Sequence, residues 1–186
     1  MQMCGHVMNS PCAISSAGLS WFCSETMKRI PLTRGKFAIV DDEDFEWLSQ
    51  WKWQYVEAAN KRYGYARYTK WINGKKIAVN MHRVLMGAKA GQLVDHINRD
   101  TLDNRKTNLR FCTRSQNSAN SAGHPLRASK FKGVTWSPRK KKWNAHIKNN
   151  YVCYHLGDFI SEQEAACAYD SMAKKLFGEF AFLNLP

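Results

Sequence analysis

Apolar and polar positions change period several times along the chain. Phe37-Ala38-Ile39-Val40 is an apolar run of strand length. Asp41 to Gln50 follows with acids in its first turn and Phe45 and Leu48 on one side, which predicts a brief helix. Trp53-Gln54-Tyr55-Val56 and Tyr63-Gly64-Tyr65-Ala66-Arg67-Tyr68 read as strands. Asn73-Gly74, between Trp71-Ile72 and Lys75-Lys76-Ile77, reads as a two-residue hairpin turn. The aromatics of this region are expected to pack a sheet rather than to stack on bases. Further on, Leu93-Val94-Asp95-His96-Ile97-Asn98 and Thr107-Asn108-Leu109-Arg110-Phe111-Cys112 flank a polar loop, the pattern of a ββ hairpin. Thr113 with Gln116 three residues on is a capping box. The helix it opens carries Asn117 in its first turn and is expected to return Asn117 towards the Asp95-His96 strand.

Beyond Lys130 the pattern changes again. Phe131 to Trp136 reads as a strand ended by Ser137-Pro138. Trp143, Ala145 and Ile147 then alternate with Asn144, His146 and Lys148, so the first three face inward and the others outward. Tyr151 to Leu156 is a third strand. Ser161-Glu162-Gln163-Glu164 caps a helix with Ala165, Ala168, Tyr169, Met172, Leu176 and Phe177 on one face and Gly178 at its end. A three-stranded antiparallel sheet on one amphipathic helix results. The fold class is therefore α+β. The division expected is a disordered tail or over-extended start (1–27), an α+β region with the ββα unit at about 81–120 (28–120), a linker (121–129) signalled by the small and turn residues of Ser118 to Pro125, and the sheet-and-helix module (130–186). No internal repeat is visible.

Charge sharpens the picture. With 28 Lys and Arg against 15 Asp and Glu the net charge is +13. No acid lies between Asp103 and Asp158, an interval holding twelve Lys and Arg that include Arg114, Lys132, Arg139, Lys140, Lys141, Lys142 and Lys148. A solvated face mixes both signs, so this layout points to a phosphate-binding surface. No apolar run approaches the roughly 18–20 residues that span a bilayer, so no membrane is expected. The six cysteines form no C-x-x-C pair and read as buried free thiols of a reducing compartment. Cys4, His6, Cys12 and Cys23 have the residue types of a metal site but no common zinc spacing. Residues 1–26 do not read as a secretory signal, and a cytoplasmic location is expected.

The pattern His82-Arg83, Val94-Asp95-His96-Ile97-Asn98, Asp103-Asn104-Arg105, Asn108-Leu109-Arg110 and Thr113-Arg114-Ser115-Gln116-Asn117 resembles the HNH endonucleases of phages and introns. The resemblance implies a ββα-metal unit with His96 as general base and Asn108 orienting it. Asp95 and Asn117 would hold a divalent metal, Mg²⁺ first and Mn²⁺ as the alternative. Where the family often has a second His, this chain has Asn117. The chemistry is consistent with those roles. Histidine accepts a proton near neutral pH, and a carboxylate with an amide oxygen is a hard donor set suited to Mg²⁺. Adjacent Asp95 and His96 face opposite ways in an ideal pleat, so the strand must twist or end there. Arg99, Arg105, Arg110 and Arg114 are expected on phosphates. Asn98 and Asn104 read as turn residues, and His82 suits packing as well as the site.

Phe131-Lys132-Gly133-Val134, Leu156-Gly157-Asp158-Phe159, Ala165-Ala166-Cys167-Ala168-Tyr169-Asp170 and Leu183-Asn184-Leu185-Pro186 resemble the AP2 (ERF-type) DNA-binding domain. In that family the outer face of the sheet enters the major groove. Carried over by position, Lys132, Thr135, His146, Lys148 and His155 are the DNA contacts. Thr135, Cys153 and His155 replace Arg and Trp contacts of plant members, so plant target sites do not transfer. The combined expectation is a double-stranded DNA endonuclease of a phage or mobile element, monomeric or weakly dimeric, with a cutter tethered to a reader. The alternatives are a non-catalytic DNA-binding regulator and an RNA-associated basic protein.

Overall fold

A computed structural model of the chain describes residues 27–58, 63–122 and 128–185. Residues 1–26 of the expected tail, including the Cys4, His6, Cys12 and Cys23 set, lie outside these residues, as does 123–127 of the expected linker, whereas Met27 opens the first strand. The first layer pairs β1 (Met27–Pro31) antiparallel with β2 (Phe37–Asp41) and leads into α1 (Asp42–Leu48). Next comes a three-stranded antiparallel meander of β3 (Gln54–Glu57), β4 (Gly64–Ile72) and β5 (Lys75–Asn80). Alternation along β2 buries Ala38 and Val40, and α1 adds Leu48. With Ile30, Trp53, Ala66 and Met81 they form one core cluster. Inside it the Trp53 indole donates to the Leu48 carbonyl at 2.8 Å.

A short helix α2 (Met81–Leu85) leads to the hairpin of β6 (Leu93–His96) and β7 (Leu109–Cys112), and α3 (Arg114–Asn120) completes the ββα unit. The Thr113–Gln116 capping box forms as expected, with donors satisfied in both directions. The long loop between β6 and β7 is stitched to β2. Ile39 N donates to Leu102 O, and Asn104 N donates to Ile39 O, both at 2.8 Å. The amino-terminal layer therefore fixes the backbone of the loop that carries the chemical residues.

The carboxy-terminal sheet has the order β10-β9-β8, with β8 (Val134–Ser137), β9 (Lys142–Asn149) and β10 (Val152–Phe159). α4 (Glu162–Phe177) packs across it and ends at Gly178 with φ +53. Asp170, in the apolar seam of α4, accepts from the Asn184 and Leu185 amides at 2.8–3.0 Å and clasps the carboxyl end. The expected first strand is shorter than its pattern. Phe131–Gly133 forms a turn in which Gly133 has φ +75, and a Cβ there would lie 2.1 Å from the Tyr169 ring and 2.5 Å from His146 O. Gly133→Ala is accordingly expected to destabilise the chain by about 2–5 kcal/mol, combining left-handed backbone strain with overpacking. Denaturant unfolding would show a lower midpoint.

The two units are not joined only by a linker. Residues 118–120 of the small-residue stretch belong to α3, and Ala119 is buried in a cluster with Ile147, Tyr169, Ala173 and Phe177 of the carboxy-terminal module. Phe182 N donates to Ala119 O at 3.1 Å, and Ser115 Oγ donates to Asn149 Oδ1 at 2.7 Å. No helix among the described residues is long and apolar enough to cross a membrane.

Candidate active site

β6 ends at His96, and both Asp95 (7% exposed) and His96 (4% exposed) are buried although the pleat turns them to opposite sides. Asp95 faces α3, where Asn120 Nδ2 donates to its two oxygens at 3.1 and 2.9 Å and to His96 O at 2.8 Å. His96 faces α2 and β4. Its ring meets His82 edge to face at 5.1 Å between centroids and lies 6.4 Å from Tyr65.

The orienting contact to His96 comes from Asn104, not from Asn108. Asn104 is 1% exposed and its Oδ1 lies 3.4 Å from His96 Nε2. Its Nδ2 donates to Leu102 O, which fixes which end of the amide faces the histidine. An amide oxygen only accepts, so this contact favours the tautomer protonated on Nε2, in which Nδ1 is the basic nitrogen. Asn108 is buried one layer back. Its amide oxygen accepts from Asn98 N, and its Nδ2 donates to Asn98 Oδ1 and Asp103 O, holding the loop closed beneath the histidine. Its part in orienting His96 is thus indirect. Asn98 does act as a turn residue, whereas Asn104 lies past the turn, is bonded through its backbone amide to β2 and touches the ring, a role no local sequence signal announces.

Electrostatics keep the imidazoles neutral. Burial lowers His96 below the usual histidine value, opposed by the Asn104 bond and the nearby Asp95, Asp100 and Asp103. Burial, with His96, Arg83 and Arg67 adding repulsion, pushes His82 down to about 3. His82 is therefore an uncharged packing partner of His96. Burial also pushes the Tyr65 hydroxyl up to about 12.

Asp95, His96, Asn117 and Asn120 line one cavity of about 760 Å³, with Tyr65 and Arg114 also on its wall. Asn117 is exposed there, three residues before the buried Asn120 that bonds Asp95. Among the described residues no cluster of three or more His, Cys, Asp or Glu gathers. One carboxylate with the asparagine side chains Asn117 and Asn120 on the same cavity wall offers the oxygen-donor types of a hard cation that retains water, so the donor set suits Mg²⁺ or Mn²⁺.

Several expected phosphate contacts are engaged within the chain. Arg110 donates from Nε and Nη2 to Asp95 Oδ2 at 3.2 and 3.1 Å and from Nη1 to Glu179 O at 3.0 Å. Its guanidinium also stacks 3.8 Å from the Phe180 ring. Arg105 makes a two-pronged pair with Asp103 at 2.8 and 2.7 Å, which holds that carboxyl below its usual range. Lys132 donates to Ser118, Ala119 and Ser121 carbonyls at 2.6–2.8 Å and so closes the end of α3. Burial pushes its ammonium down to about 8. These three correct the expectation: each is a structural clamp, because a basic side chain beside a buried carboxylate or a helix end finds partners before it finds DNA. Arg99 and Arg114 remain exposed at the cavity, Arg99 over the Phe182 ring at 4.7 Å.

On the carboxy-terminal sheet, cross-strand pairing puts Thr135 beside Asn144, His146 beside His155 and Lys148 beside Cys153. These positions alternate with buried Ala145 and Ile147, so they share the face away from α4. Arg139, Lys140, Lys141 and Lys142 are exposed at the β8–β9 turn. Asp158 also stands on this face, where it accepts from Lys140 Nζ at 2.7 Å and Asn144 Nδ2 at 3.1 Å.

Residues 81–119 match the family model of the HNH endonucleases. Over 157 residues the chain is 30% identical to an uncharacterized HNH endonuclease of Acanthamoeba polyphaga mimivirus, covering 81% of this chain and 76% of that protein. Two dehydration-responsive element-binding proteins match shorter stretches. Protein 2E of Oryza sativa subsp. japonica is 44% identical over 64 residues, and protein 2D of Arabidopsis thaliana is 47% identical over 70. The first match covers 32% of this chain and 19% of the rice protein, the second 34% and 32% of the Arabidopsis protein. No solved structure matches. With a ββα unit whose Asp-His pair closes on a polar cavity, and with an AP2-like sheet-and-helix module against it, the chain belongs to the HNH endonuclease family, whose members cleave DNA.

Proposed function

We propose that the chain hydrolyses phosphodiester bonds of double-stranded DNA at the Asp95–His96 cavity, positioned by the outer face of its AP2-like sheet. The observation that carries this reading is the buried Asp95–His96 pair, whose two members are held by separate partners on one open cavity. Asn104 keeps the imidazole proton on Nε2, so His96 Nδ1 takes the proton from water as it attacks phosphorus. Arg110 and Asn120 fix the Asp95 carboxylate, which with the Asn117 amide oxygen would hold the cation. When bound, that cation supplies charge neutralisation at the scissile phosphate and the leaving 3′ oxygen. Arg99 and Arg114 stand exposed at the cavity to meet flanking phosphates. Thr135, His146, Lys148 and His155 face the groove, with Arg139, Lys140, Lys141 and Lys142 on the backbone beside it.

A monomer with one such cavity breaks one strand per encounter, so nicking is the expected product. The viral relative supports an origin in a virus or other mobile element, acting on DNA in the host cytoplasm. Chelation tests the metal requirement. EDTA is expected to abolish cleavage and added Mg²⁺ to restore it, with Mn²⁺ as a working substitute. Asp95→Asn is expected to weaken Mn²⁺ binding, read by electron paramagnetic resonance, by about tenfold or more. Undiminished metal binding by that variant would remove Asp95 from the site.

A further inference from the structure

The β4–β5 hairpin carries an exposed surface that neither the active site nor the AP2-like module uses. Its base belongs to the catalytic unit. Gly64 O accepts from Thr101 Oγ1 in the β6–β7 loop at 2.5 Å, Tyr65 lines the cavity and Ala66 is buried in the core. From there the two strands leave the body of the protein. Every residue from Lys70 to Ala78 is exposed, and Trp71 is 70% exposed at the outer end of β4. Seven residues separate Tyr65 from Ile72, about 23 Å at strand rise.

The ribbon is paired to its tip. Lys70 pairs with Ile77, Trp71 with Lys76 and Ile72 with Lys75. Asn73 and Gly74 close it with φ +49 and +73, the turn whose twist matches an antiparallel pair. Cross-strand partners share a face, so one face bears Lys70, Ile72, Lys75 and Ile77, and the other bears Trp71 and Lys76. Each face thus joins an apolar side chain to an ammonium. The sequence holds no acid from Ala58 to Val94, so nothing within that stretch neutralises these lysines. Lone exposed apolar residues are ordinary, but Trp71, Ile72 and Ile77 lie together on a slender arm among lysines. Charge favours a polyanion, and the arm's root in the cavity wall makes that polyanion the DNA entering the cavity.

We propose that the β4–β5 hairpin is a DNA-gripping arm that lies along the duplex flanking the scissile phosphate. Lys70, Lys75 and Lys76 engage phosphates, and Trp71 packs into the groove against sugars or base edges. This rests on the nuclease reading and extends it: the chain holds DNA on both sides of the cut, by the AP2-like sheet on one and by the ribbon on the other. The ribbon is structure-reading rather than sequence-reading, because ammonium groups and an indole face carry little of the hydrogen-bond code.

The test uses the full chain in EDTA, so that binding is read without cleavage. Duplex affinity is followed by fluorescence anisotropy across a salt series, together with a hydroxyl-radical footprint. Native protein is compared with the triple variant Lys70→Gln, Lys75→Gln, Lys76→Gln and with Trp71→Ala, all shown to be folded by an unchanged unfolding midpoint. The triple variant is expected to flatten the dependence of log affinity on log salt by about 2–3, close to 0.9 for each phosphate the lysines neutralise. Both variants are expected to lose protection at one end of the footprint while the protection from the AP2-like module persists. A native salt slope and a full footprint in both variants would overturn the proposal. Dimerisation of the native chain, or its binding to anionic phosphatidylserine vesicles, that disappears with Trp71→Ala while the footprint stays whole would likewise overturn it and give the arm another partner. Failure of the native chain to bind duplex DNA at all would instead bring down the nuclease reading.

Discussion

His96→Ala is expected to lower the single-turnover rate of DNA cleavage by about 10²–10⁴-fold, the usual contribution of a positioned general base. Affinity for DNA in EDTA should stay close to native. The ring is buried, held below the usual histidine value by that burial and tied through Nε2 to Asn104, so in the proposed mechanism its other nitrogen is the base, held in a single orientation. Removing it takes away the proton acceptor and leaves the Asp95 carboxylate and its partners in place. Asn104→Leu, which keeps bulk but deletes the acceptor, should fall between native and His96→Ala because the ring then loses its fixed tautomer. An unimpaired rate in His96→Ala, with metal still required, would place the base elsewhere.

Arg110→Ala is expected to destabilise the protein by about 3–5 kcal/mol, a large share of the 5–15 kcal/mol typical of a native domain. The pair it breaks is nearly dry, with side-chain exposures of 12% for Arg110 and 8% for Asp95. The truncation strands a buried carboxylate with only the Asn120 donor and also deletes the stack on Phe180 and the bond to Glu179 O. The same residue links the cutter to the AP2-like module, so urea unfolding should show the destabilisation in both units together. Removing both charges discriminates further. Arg110→Met with Asp95→Asn should recover much of the stability, because no unpaired charge is then left buried, and should recover no cleavage. If Arg110→Ala kept native stability and weakened only DNA affinity, the side chain would be a phosphate contact as its sequence position suggests.

Local signals carry much of the fold. Asn73-Gly74 specifies its hairpin, Thr113 with Gln116 and Ser161 with Glu164 open their helices, and alternation along Trp143–Lys148 tells the two sheet faces apart. The Asp95-His96 step is legible for the same reason, since residue types and order on two short strands determine it. What escapes depends on contacts far apart in sequence. Asn104 and Asn120 look like a turn residue and a linker residue, yet β2 positions the first and Ala119, docked in the carboxy-terminal core, positions the second. His82 reads as suiting packing as well as the site, and only the fold shows that Met81–Leu85 is a helix that brings it onto His96. Charge misleads at Arg105, Arg110 and Lys132, because sequence reports that a residue is basic but not that a carboxylate or a helix end lies within reach. The lysines of the β8–β9 turn have fewer such neighbours and stay exposed.

The central claim, metal-dependent phosphodiester hydrolysis at the Asp95–His96 cavity, is tested most directly by incubating the purified chain with supercoiled plasmid and Mg²⁺. An EDTA control and the His96→Ala variant are run beside it. Relaxation to the nicked circle is expected with Mg²⁺, none in EDTA and almost none with the variant. Tight plasmid binding with no strand broken in Mg²⁺ or Mn²⁺ would contradict it and leave a DNA-binding protein whose HNH unit serves as scaffold.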